Sequence, residues 1–296
     1  MHARTLLQTI RPSFLVLSPV CVFLGTTTAM VAQGAVDTTM LVLVMVAAVC
    51  AHVSVNTLNE YADFRSGLDL VTIRTPFSGG SGALPADPAM ANAVLFTGML
   101  TLSTTTAIGL YFISSHGTMI VPIGIIGIGI ILAYTRWINR WPLLCLIAPG
   151  LGFGLLIVAG THFVLTNTVS VTAWLAALIP FFLVNNLLLL NQFPDIEADR
   201  SIGRHHLPIA YGTTISSTIY GLQSLSAGLV ILVAVQFGHF PPLSLLAALP
   251  LLLALYSLAG ALKHGSSIGQ HPKFMAANVA VTLLTPFVLG ITLIYG

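Results

Sequence analysis

The chain has 296 residues, of which 56% are hydrophobic and only 6% are charged, and its formal net charge is +2. A soluble domain carries about 25% charged residues, so this composition excludes a water-soluble globule and the disordered, collagen-like and coiled-coil classes. It also excludes a nucleic-acid-binding protein with a basic face. The three cysteines and nine histidines are scattered without the spacing of a zinc or haem site. The composition therefore predicts an all-α, polytopic membrane protein.

Nine apolar stretches are long enough to cross a bilayer, since a spanning helix needs about 20 mostly apolar residues. In chain order they are 13–32, 39–58, 91–113, 117–134, 143–165, 171–190, 214–236, 243–262 and 274–295. We expect nine transmembrane helices in one bundle around a central cavity, as a single domain over 1–296. The two longest connections, about 59–90 and 191–213, are expected to cap one end of that bundle.

The basic residues predict the orientation of the bundle. All ten Lys and Arg residues precede the first span or follow spans 2, 4, 6 and 8. Lys and Arg mark the cytoplasmic side, so the N-terminus is predicted to be cytoplasmic and the C-terminus to lie outside. Seven of the eight acidic residues lie on that same side, and Asp37 is the exception. Because acidic residues contribute little to topology, their clustering indicates a function.

The first acidic cluster lies at the end of span 2. Four polar residues follow one another there at spacings of four, three and four: His52, Asn56, Asn59 and Asp63. They form one stripe on an apolar helix, and polar groups at membrane depth face the bundle interior or a wet cavity. Gly67 is predicted to stop the helix and to let Asp69 turn back toward the stripe.

The second acidic cluster follows span 6. Asn191, Asp195 and Asp199 are spaced by four and are predicted to share a helical face. The Asn-x-x-x-Asp pattern at Asn59 and Asp63 thus recurs 132 residues later. Both copies follow an even-numbered span, so they are expected to meet on the cytoplasmic side.

Opposed carboxylates beside arginines favour diphosphate chemistry. Close carboxylates repel one another at low dielectric, and a divalent cation relieves that repulsion. Carboxylate oxygens suit Mg²⁺, which typically takes one or two carboxylates together with substrate phosphates. The nearby arginines bind phosphate oxygens bidentately and are Arg65, Arg74, Arg200 and Arg204. Metal and arginine together stabilise the charge on a departing diphosphate, which predicts a diphosphate head at the rim and a lipid tail in the bundle.

Several features have more than one reading from sequence alone. Arg136 and Arg140 are interpreted as topology anchors rather than ligands, and the Ser78–Gly82 loop as a phosphate cradle, a lid or a plain turn. His205 and His206 either help to hold diphosphate or solvate the membrane interface. An ion-coupled transporter is a rival function, although transporter sites usually lie near the bilayer midplane. The D-G-x-x-A-R signature of a lipid-head phosphotransferase is absent.

The paired motifs resemble the two aspartate-rich motifs of the UbiA-type intramembrane prenyltransferases, and the resemblance extends over nearly the whole chain. The spacing from Asp63 to Asp69, with Gly67 between them, is similar to that of the 1,4-dihydroxy-2-naphthoate polyprenyltransferases. Arg11-Pro12 and Ala133-Tyr134-Thr135 fit the same branch. Two departures are Glu60, where that branch usually has Asp, and Gly203-Arg204, where Gly-Lys is common.

The resemblance implies Mg²⁺-dependent transfer of a polyprenyl group from polyprenyl diphosphate to an aromatic acceptor. The implied acceptor is 1,4-dihydroxy-2-naphthoate in menaquinone synthesis, and 4-hydroxybenzoate and homogentisate are alternatives. The residues expected to hold Mg²⁺ and diphosphate in catalysis are Asp63, Asp69, Asp195 and Asp199. Those expected to bind the diphosphate are Asn59, Asn191, Arg65, Arg200 and Arg204. A multi-pass protein of a bacterial inner membrane, with its active site on the cytoplasmic side, is the implied setting.

Overall fold

The computed structural model describes residues 2–296, and within that range the chain forms helices, turns and coil with no β-strand. The α-helices are α1 (His2–Ile10), α2 (Pro12–Leu15), α3 (Leu17–Gln33), α4 (Thr38–Ser66), α5 (Leu68–Val71), α6 (Ala83–Ala86), α7 (Ala91–His116), α8 (Val121–Ala133), α9 (Pro142–Gly150), α10 (Gly160–Thr166), α11 (Val171–Asn191), α12 (Ile196–Ser201), α13 (Leu207–Gln236), α14 (Leu251–His264) and α15 (Pro272–Tyr295). The predicted all-α fold is confirmed.

Eight helical stretches within residues 2–296 are long and apolar enough to cross a membrane. They are His2–Gln33, Thr38–Ser66, Pro88–His116, Pro142–Thr166, Val171–Asn191, Leu207–Gln236, Pro242–Gln270 and Pro272–Tyr295. The remaining predicted span, 117–134, is a shorter apolar helix, Thr118–Ala133. Its α-helical part, α8, has 13 residues and is about 20 Å long, against a hydrocarbon core of roughly 30 Å. The prediction of nine full-length spans is therefore wrong by one.

Helix α4 has a clear start and a clear stop in its sequence. Asp37 caps its N-terminus and accepts hydrogen bonds from the backbone N–H groups of Thr39 (2.7 Å) and Met40 (3.1 Å). Gly67 ends it in the left-handed conformation, with φ of +80°, which glycine adopts without the steric penalty of a Cβ atom. The predicted stop at Gly67 is confirmed, and the chain turns there into α5, which carries Asp69.

Hydrogen bonds between helices hold the half of the bundle that carries the second motif. Apolar contact alone gives helices little preference for one another over lipid, so polar groups between them matter. The Asn186 amide donates to the Tyr220 carbonyl and to Ser224 Oγ, both at 2.9 Å. The Tyr220 hydroxyl donates to Asn278 Oδ1 at 2.9 Å, and the Asn278 amide donates to the Asn186 carbonyl at 3.2 Å. These bonds connect α11, α13 and α15.

A close approach of two helices positions the cavity wall. Helix α9 continues through a π-helical segment, Leu151–Ala159, into α10. Gly150 and Gly154 face α11, where a Cβ atom on either would collide with the backbone of Phe181. The Gly150 N–H donates to Asn185 Oδ1 at 2.7 Å. Gly152 and Phe153 of the same segment line the central cavity.

Candidate active site

A cavity of about 560 Å³ lies inside the bundle, and both acidic motifs reach it. Its lining residues are mostly apolar along α4, α7, α8 and the π-helical segment. Val44 and Asp63 are 19 positions apart on α4 and both line the cavity. The cavity therefore extends about 28 Å along that helix. We call the end that holds Asp63, Asp69, Asp195 and Asp199 the carboxylate end. A cavity with a charged end and a long apolar interior suits an amphiphile with a charged head.

The first motif reaches the carboxylate end from α4 and α5. Asp63 lies in the last turn of α4, and Asp69 lies in the first turn of α5, just beyond the Gly67 turn. Asn59, one turn before Asp63, lines the cavity and accepts a hydrogen bond from the Thr135 hydroxyl. The backbone therefore turns at Gly67 and returns Asp69 to the polar stripe, as predicted.

The second motif differs from its prediction because it does not form one continuous helix. Helix α11 ends at Asn191, and α12 begins only at Ile196. Pro194 lies in the intervening turn, and proline has no N–H with which to continue a helical hydrogen-bond ladder. Asn191, Asp195 and Asp199 nevertheless all line the cavity. The shared face that we predicted is produced by a turn and a short helix.

Arg204 connects the two motifs. Its guanidinium donates to Asp199 Oδ1 at 2.8 Å and forms an ion pair with Asp63. Burial lowers the pKa of Arg204, but the carboxylates of Asp63 and Asp199 outweigh it and the pKa is raised. The His206 ring is buried, and its Nε2 lies 3.0 Å from Asp199 Oδ2. Arg204 thus supplies a fixed positive charge between the carboxylates of both motifs.

The Ser78–Gly82 loop closes over the same end and contacts each motif. The Gly79 N–H donates to Asp195 Oδ2 at 3.1 Å. Ser81 donates twice to Glu60, from its N–H at 2.8 Å and from its hydroxyl at 2.6 Å. A Cβ atom on Gly80 would lie 2.9 Å from Asp69 Oδ1, so a larger residue there would disturb that carboxylate. Of the three readings of this loop, a lid held by carboxylates best matches these contacts.

Two of the carboxylates keep an oxygen without a partner. Asp69 Oδ2 and Asp195 Oδ1 are buried and have no hydrogen bond from any described residue. Burial, together with the Glu60 and Asp63 charges, raises the pKa of Asp69 to about 7. Burial and the Asp199 charge raise the pKa of Asp195 to about 7, against the opposing hydrogen bond from Gly79. Both acids are therefore poised to gain from a cation.

These two acids fit the magnesium that the sequence predicted. Residues 2–296 hold no preformed group of three or more His, Cys, Asp or Glu side chains around one metal position. Mg²⁺ does not need such a group, because it is commonly held by one or two carboxylates together with substrate phosphates and water. Unpartnered oxygens of Asp69 and Asp195 at the carboxylate end of one cavity match that donor set.

The model of the UbiA prenyltransferase family matches residues 17–294, which include both motifs. The chain belongs to the UbiA prenyltransferase family. A curated relative is the 1,4-dihydroxy-2-naphthoate octaprenyltransferase of Bacillus subtilis (strain 168), which is 28% identical over 211 residues. That match covers 69% of this chain and 65% of the relative, just under two thirds of its length.

Solved structures support the UbiA fold over the full chain. A UbiA homolog from Archaeoglobus fulgidus bound to DMAPP and Mg²⁺ aligns with a TM-score of 0.68 and 14% identity, covering 98% of this chain and 99% of that one. The apo UbiA homolog from Aeropyrum pernix K1 aligns with a TM-score of 0.71 and 15% identity, over 94% and 97% of the two chains. A digeranylgeranylglyceryl phosphate synthase aligns with a TM-score of 0.66 and 16% identity, over 100% and 99%. Because the sequence identities to these three structures are so low, the similarity shows a shared fold and no more.

Seven of the nine predicted site residues of this UbiA-family chain line the cavity: Asn59, Asp63, Asp69, Asn191, Asp195, Asp199 and Arg204. Arg65 and Arg200 are not among the residues that line it. Arg65 is two residues beyond Asp63, so it projects about 200° around the same helix. Arg200 is exposed and pairs with Glu197 at 2.8 Å. The structure therefore does not bring these two arginines to the carboxylates.

Sequence reasoning gave no definite role to two residues that lie at the site. Glu60 was noted only as a departure from the usual Asp, yet it is buried and anchors the Ser81 end of the lid. His206 was assigned mainly to interfacial solvation, yet it is buried against Asp199, whereas His205 is exposed. The closeness of His206 in the sequence to Arg204 and Asp199 was the available signal that it lies at the site. It could not tell which of two neighbouring histidines points inward.

Proposed function

We propose that this protein transfers a polyprenyl group from a polyprenyl diphosphate to 1,4-dihydroxy-2-naphthoate in menaquinone synthesis. One observation carries the proposal. A single cavity, about 28 Å long along α4, joins two acidic motifs to a mostly apolar interior. The charged end suits a diphosphate with magnesium, and the interior suits a prenyl tail. The relative from Bacillus subtilis supports the choice of acceptor.

At the carboxylate end, Asp69 and Asp195 would hold Mg²⁺ through their unpartnered oxygens, with Asp63 and Asp199 beside them. When bound, the metal neutralises charge that builds on the departing diphosphate. Arg204 adds a fixed positive charge at the same place, and it needs no reorganisation because Asp63 and Asp199 already hold it.

The asparagines and the lid would orient the head group. Asn59 and Asn191 line the cavity beside the aspartates, and each amide group can both donate and accept hydrogen bonds. The lid holds Asp195 through Gly79 and Glu60 through Ser81. Closing a site in this way excludes water from a reactive prenyl carbon.

The bond changes follow from the substrates. The bond between the first prenyl carbon and the diphosphate oxygen breaks, and the electron pair leaves with diphosphate. An electron-rich ring carbon of the acceptor forms the new carbon–carbon bond. With 1,4-dihydroxy-2-naphthoate the bond between the ring and its carboxylate breaks, carbon dioxide departs, and the electron pair of that bond returns to the ring, which balances the charge. The apolar cavity walls keep water from competing as the acceptor.

We place the carboxylate end on the cytoplasmic face of a bacterial inner membrane. The support is the distribution of the ten Lys and Arg residues, which all precede the first span or follow even-numbered predicted spans. The N-terminus would then be cytoplasmic. The C-terminus would lie outside, with the short apolar helix Thr118–Ala133 also crossing a locally thinned bilayer. Cysteine labelling at each end of the bundle in intact cells would test this orientation.

The deciding experiment incubates the purified protein with a labelled polyprenyl diphosphate and one acceptor at a time. The acceptors are 1,4-dihydroxy-2-naphthoate, 4-hydroxybenzoate and homogentisate, each with Mg²⁺ and with EDTA, and products are identified by mass. We expect a decarboxylated prenylnaphthalenediol, formed with Mg²⁺ and absent with EDTA. Product from another acceptor alone would overturn the acceptor. Ion-coupled uptake into vesicles with no prenylated product would overturn the enzymatic function.

A further inference from the structure

A second cavity of about 360 Å³ lies beside the carboxylate end. It shares Asp63, Asn139 and Arg204 with the first cavity. The rest of its lining comes from the end of α4, from the 135–140 segment and from Ile202. We call it the arginine pocket, because Arg65, Arg136 and Arg140 line it in addition to Arg204.

The arginine pocket carries an excess of positive charge. Arg65, Arg136 and Arg140 are exposed, and none of them forms an ion pair with a described residue. The acidic group in the lining is Asp63, which is already paired with Arg204. Guanidinium groups stay charged, so three of them face one small volume without a counter-ion. The carboxylate end is the opposite case, since its acids need a cation.

The 135–140 segment also has the marks of a membrane interface. It follows α8, and Trp137 and Trp141 are 65% and 63% exposed. Tryptophan is enriched where the hydrocarbon core meets the head groups. Arginine-lined pockets between helices at that level bind anionic lipid head groups. The same chemistry recognises a free phosphate or diphosphate ion.

We propose that the arginine pocket is a second anion site, which binds a phosphate group without a metal. Arg65, Arg136 and Arg140 would bind its oxygens, and bidentate arginine contacts favour phosphate over a spherical anion. This assigns a role to Arg65, which the first cavity does not use, and to two arginines that sequence reasoning treated as topology anchors. The occupant is either a phospholipid head group or soluble diphosphate.

The first arm of the test measures binding of inorganic diphosphate to the purified full-length protein in detergent. EDTA is present throughout, so the acids of the carboxylate end cannot recruit the anion through Mg²⁺. We expect binding to wild type and a loss of about tenfold or more in Arg136→Gln/Arg140→Gln. The matched control, Lys263→Gln/Lys273→Gln, removes two exposed charges that lie outside the arginine pocket. It should bind as wild type does.

The second arm asks whether a lipid is the occupant. The same proteins are reconstituted in phosphatidylcholine alone or in an equal mixture with phosphatidylglycerol, and the lipid retained on extraction is counted by native mass spectrometry. Retention of phosphatidylglycerol by wild type and control, but not by Arg136→Gln/Arg140→Gln, identifies the head group. Diphosphate binding without lipid retention identifies the soluble ion.

Two results would overturn the proposal. One is that wild type binds neither probe in EDTA, and the other is that Arg136→Gln/Arg140→Gln binds both as tightly as the lysine control. Arg65→Gln is a second variant on a different helix, and it should weaken the same probe. Thermal unfolding of each variant separates a lost site from a lost fold. Because no prenyl substrate is used, these outcomes do not depend on the proposed transferase activity.

Discussion

The two acidic motifs share the Asn-x-x-x-Asp spacing but reach the cavity through different backbones. The first lies on an unbroken helix, α4, up to Gly67. The second crosses the end of α11, a turn that contains Pro194, and the start of α12. Equal spacing in sequence therefore does not require equal secondary structure. What the two segments share is the end of a long helix that delivers polar groups to one cavity.

The carboxylates of the site also divide into two kinds, and each motif contributes one of each kind. Asp63 and Asp199 are held by Arg204, and Asp199 also contacts His206. Asp69 and Asp195 keep a buried oxygen without a partner. The first pair shares a cation from within the chain, and the second is available to a cation from outside. We infer that the first pair fixes the geometry and the second binds the ligand.

The largest effect should follow from removing the arginine that holds Asp63 and Asp199. Arg204→Gln leaves the carboxylates of Asp63 and Asp199 without their cation, and removing one partner of a buried ion pair costs about 3–5 kcal/mol. We expect the lower end of that range, because Asp63 still faces the cavity. Thermal unfolding in detergent measures the loss.

Arg200→Gln is the matched control, since it removes an exposed arginine that pairs with Glu197. Exposed pairs contribute about 0–1 kcal/mol, so its melting temperature should stay near that of wild type. Equal destabilisation by the two variants would show that Arg204 has no special role between the motifs.

Substitutions in the second pair, Asp69 and Asp195, should affect turnover more than stability. Asp195→Asn removes the carboxylate that offers an unpartnered oxygen, while its shape and its contact with Gly79 are largely kept. Mutating a residue that only supports a metal ligand lowers metal affinity or activity about 10–100-fold. Because Asp195 is itself a proposed ligand, prenyl transfer should fall by about 100-fold or more. Glu197→Gln, two residues away and exposed, should retain activity. Full turnover by Asp195→Asn with Mg²⁺ would contradict the assignment.

The apolar end of the cavity can be tested with two glycines of one helix. Gly124 lines the cavity with open space around it, and it lies nine residues before the end of α8, about 14 Å from that end. Gly124→Leu should fill part of the tail space, so activity with a long polyprenyl diphosphate should fall about tenfold relative to geranyl diphosphate. Gly129→Leu is the control, since Gly129 does not line the cavity. An equal fall with both substrates would show that this space does not hold the tail.

Much of this arrangement could be predicted from the sequence, because its signals are local. Apolar stretches predicted the helices, and Gly67 predicted the end of α4. The repeated Asn-x-x-x-Asp pattern predicted that two segments would meet at one cavity. The number of full-length spans was overestimated because the 117–134 stretch was counted as a span, although the helix there, Thr118–Ala133, is shorter than the roughly 20 residues that a span needs. The broken second helix was missed because spacing by four was given more weight than Pro194.

The remaining features depend on contacts between distant segments, which a single sequence does not show. Arg204 meets Asp63 across 141 residues, and Gly79 meets Asp195 across 116. The charge of Arg65 suggested diphosphate binding, but its position on α4 places it in a different pocket with Arg136 and Arg140. Residue type and spacing indicated the family, whereas the direction of each side chain was settled by tertiary packing.

The smallest effect should come from the lid. Ser81→Ala removes the hydroxyl that donates to Glu60 at 2.6 Å but keeps the N–H that donates at 2.8 Å. A hydrogen bond to a charged group contributes about 1.5–3 kcal/mol, and the retained bond should reduce the loss to about 1 kcal/mol. We therefore expect KM for the prenyl diphosphate to rise about fivefold, with a smaller change in kcat. Ser81→Thr should restore the KM, while Ser267→Ala, an exposed serine that bonds within its own turn, should leave it unchanged. If Ser81→Ala instead lowered kcat alone, the loop would act in the chemical step and not in closing the site over its substrate.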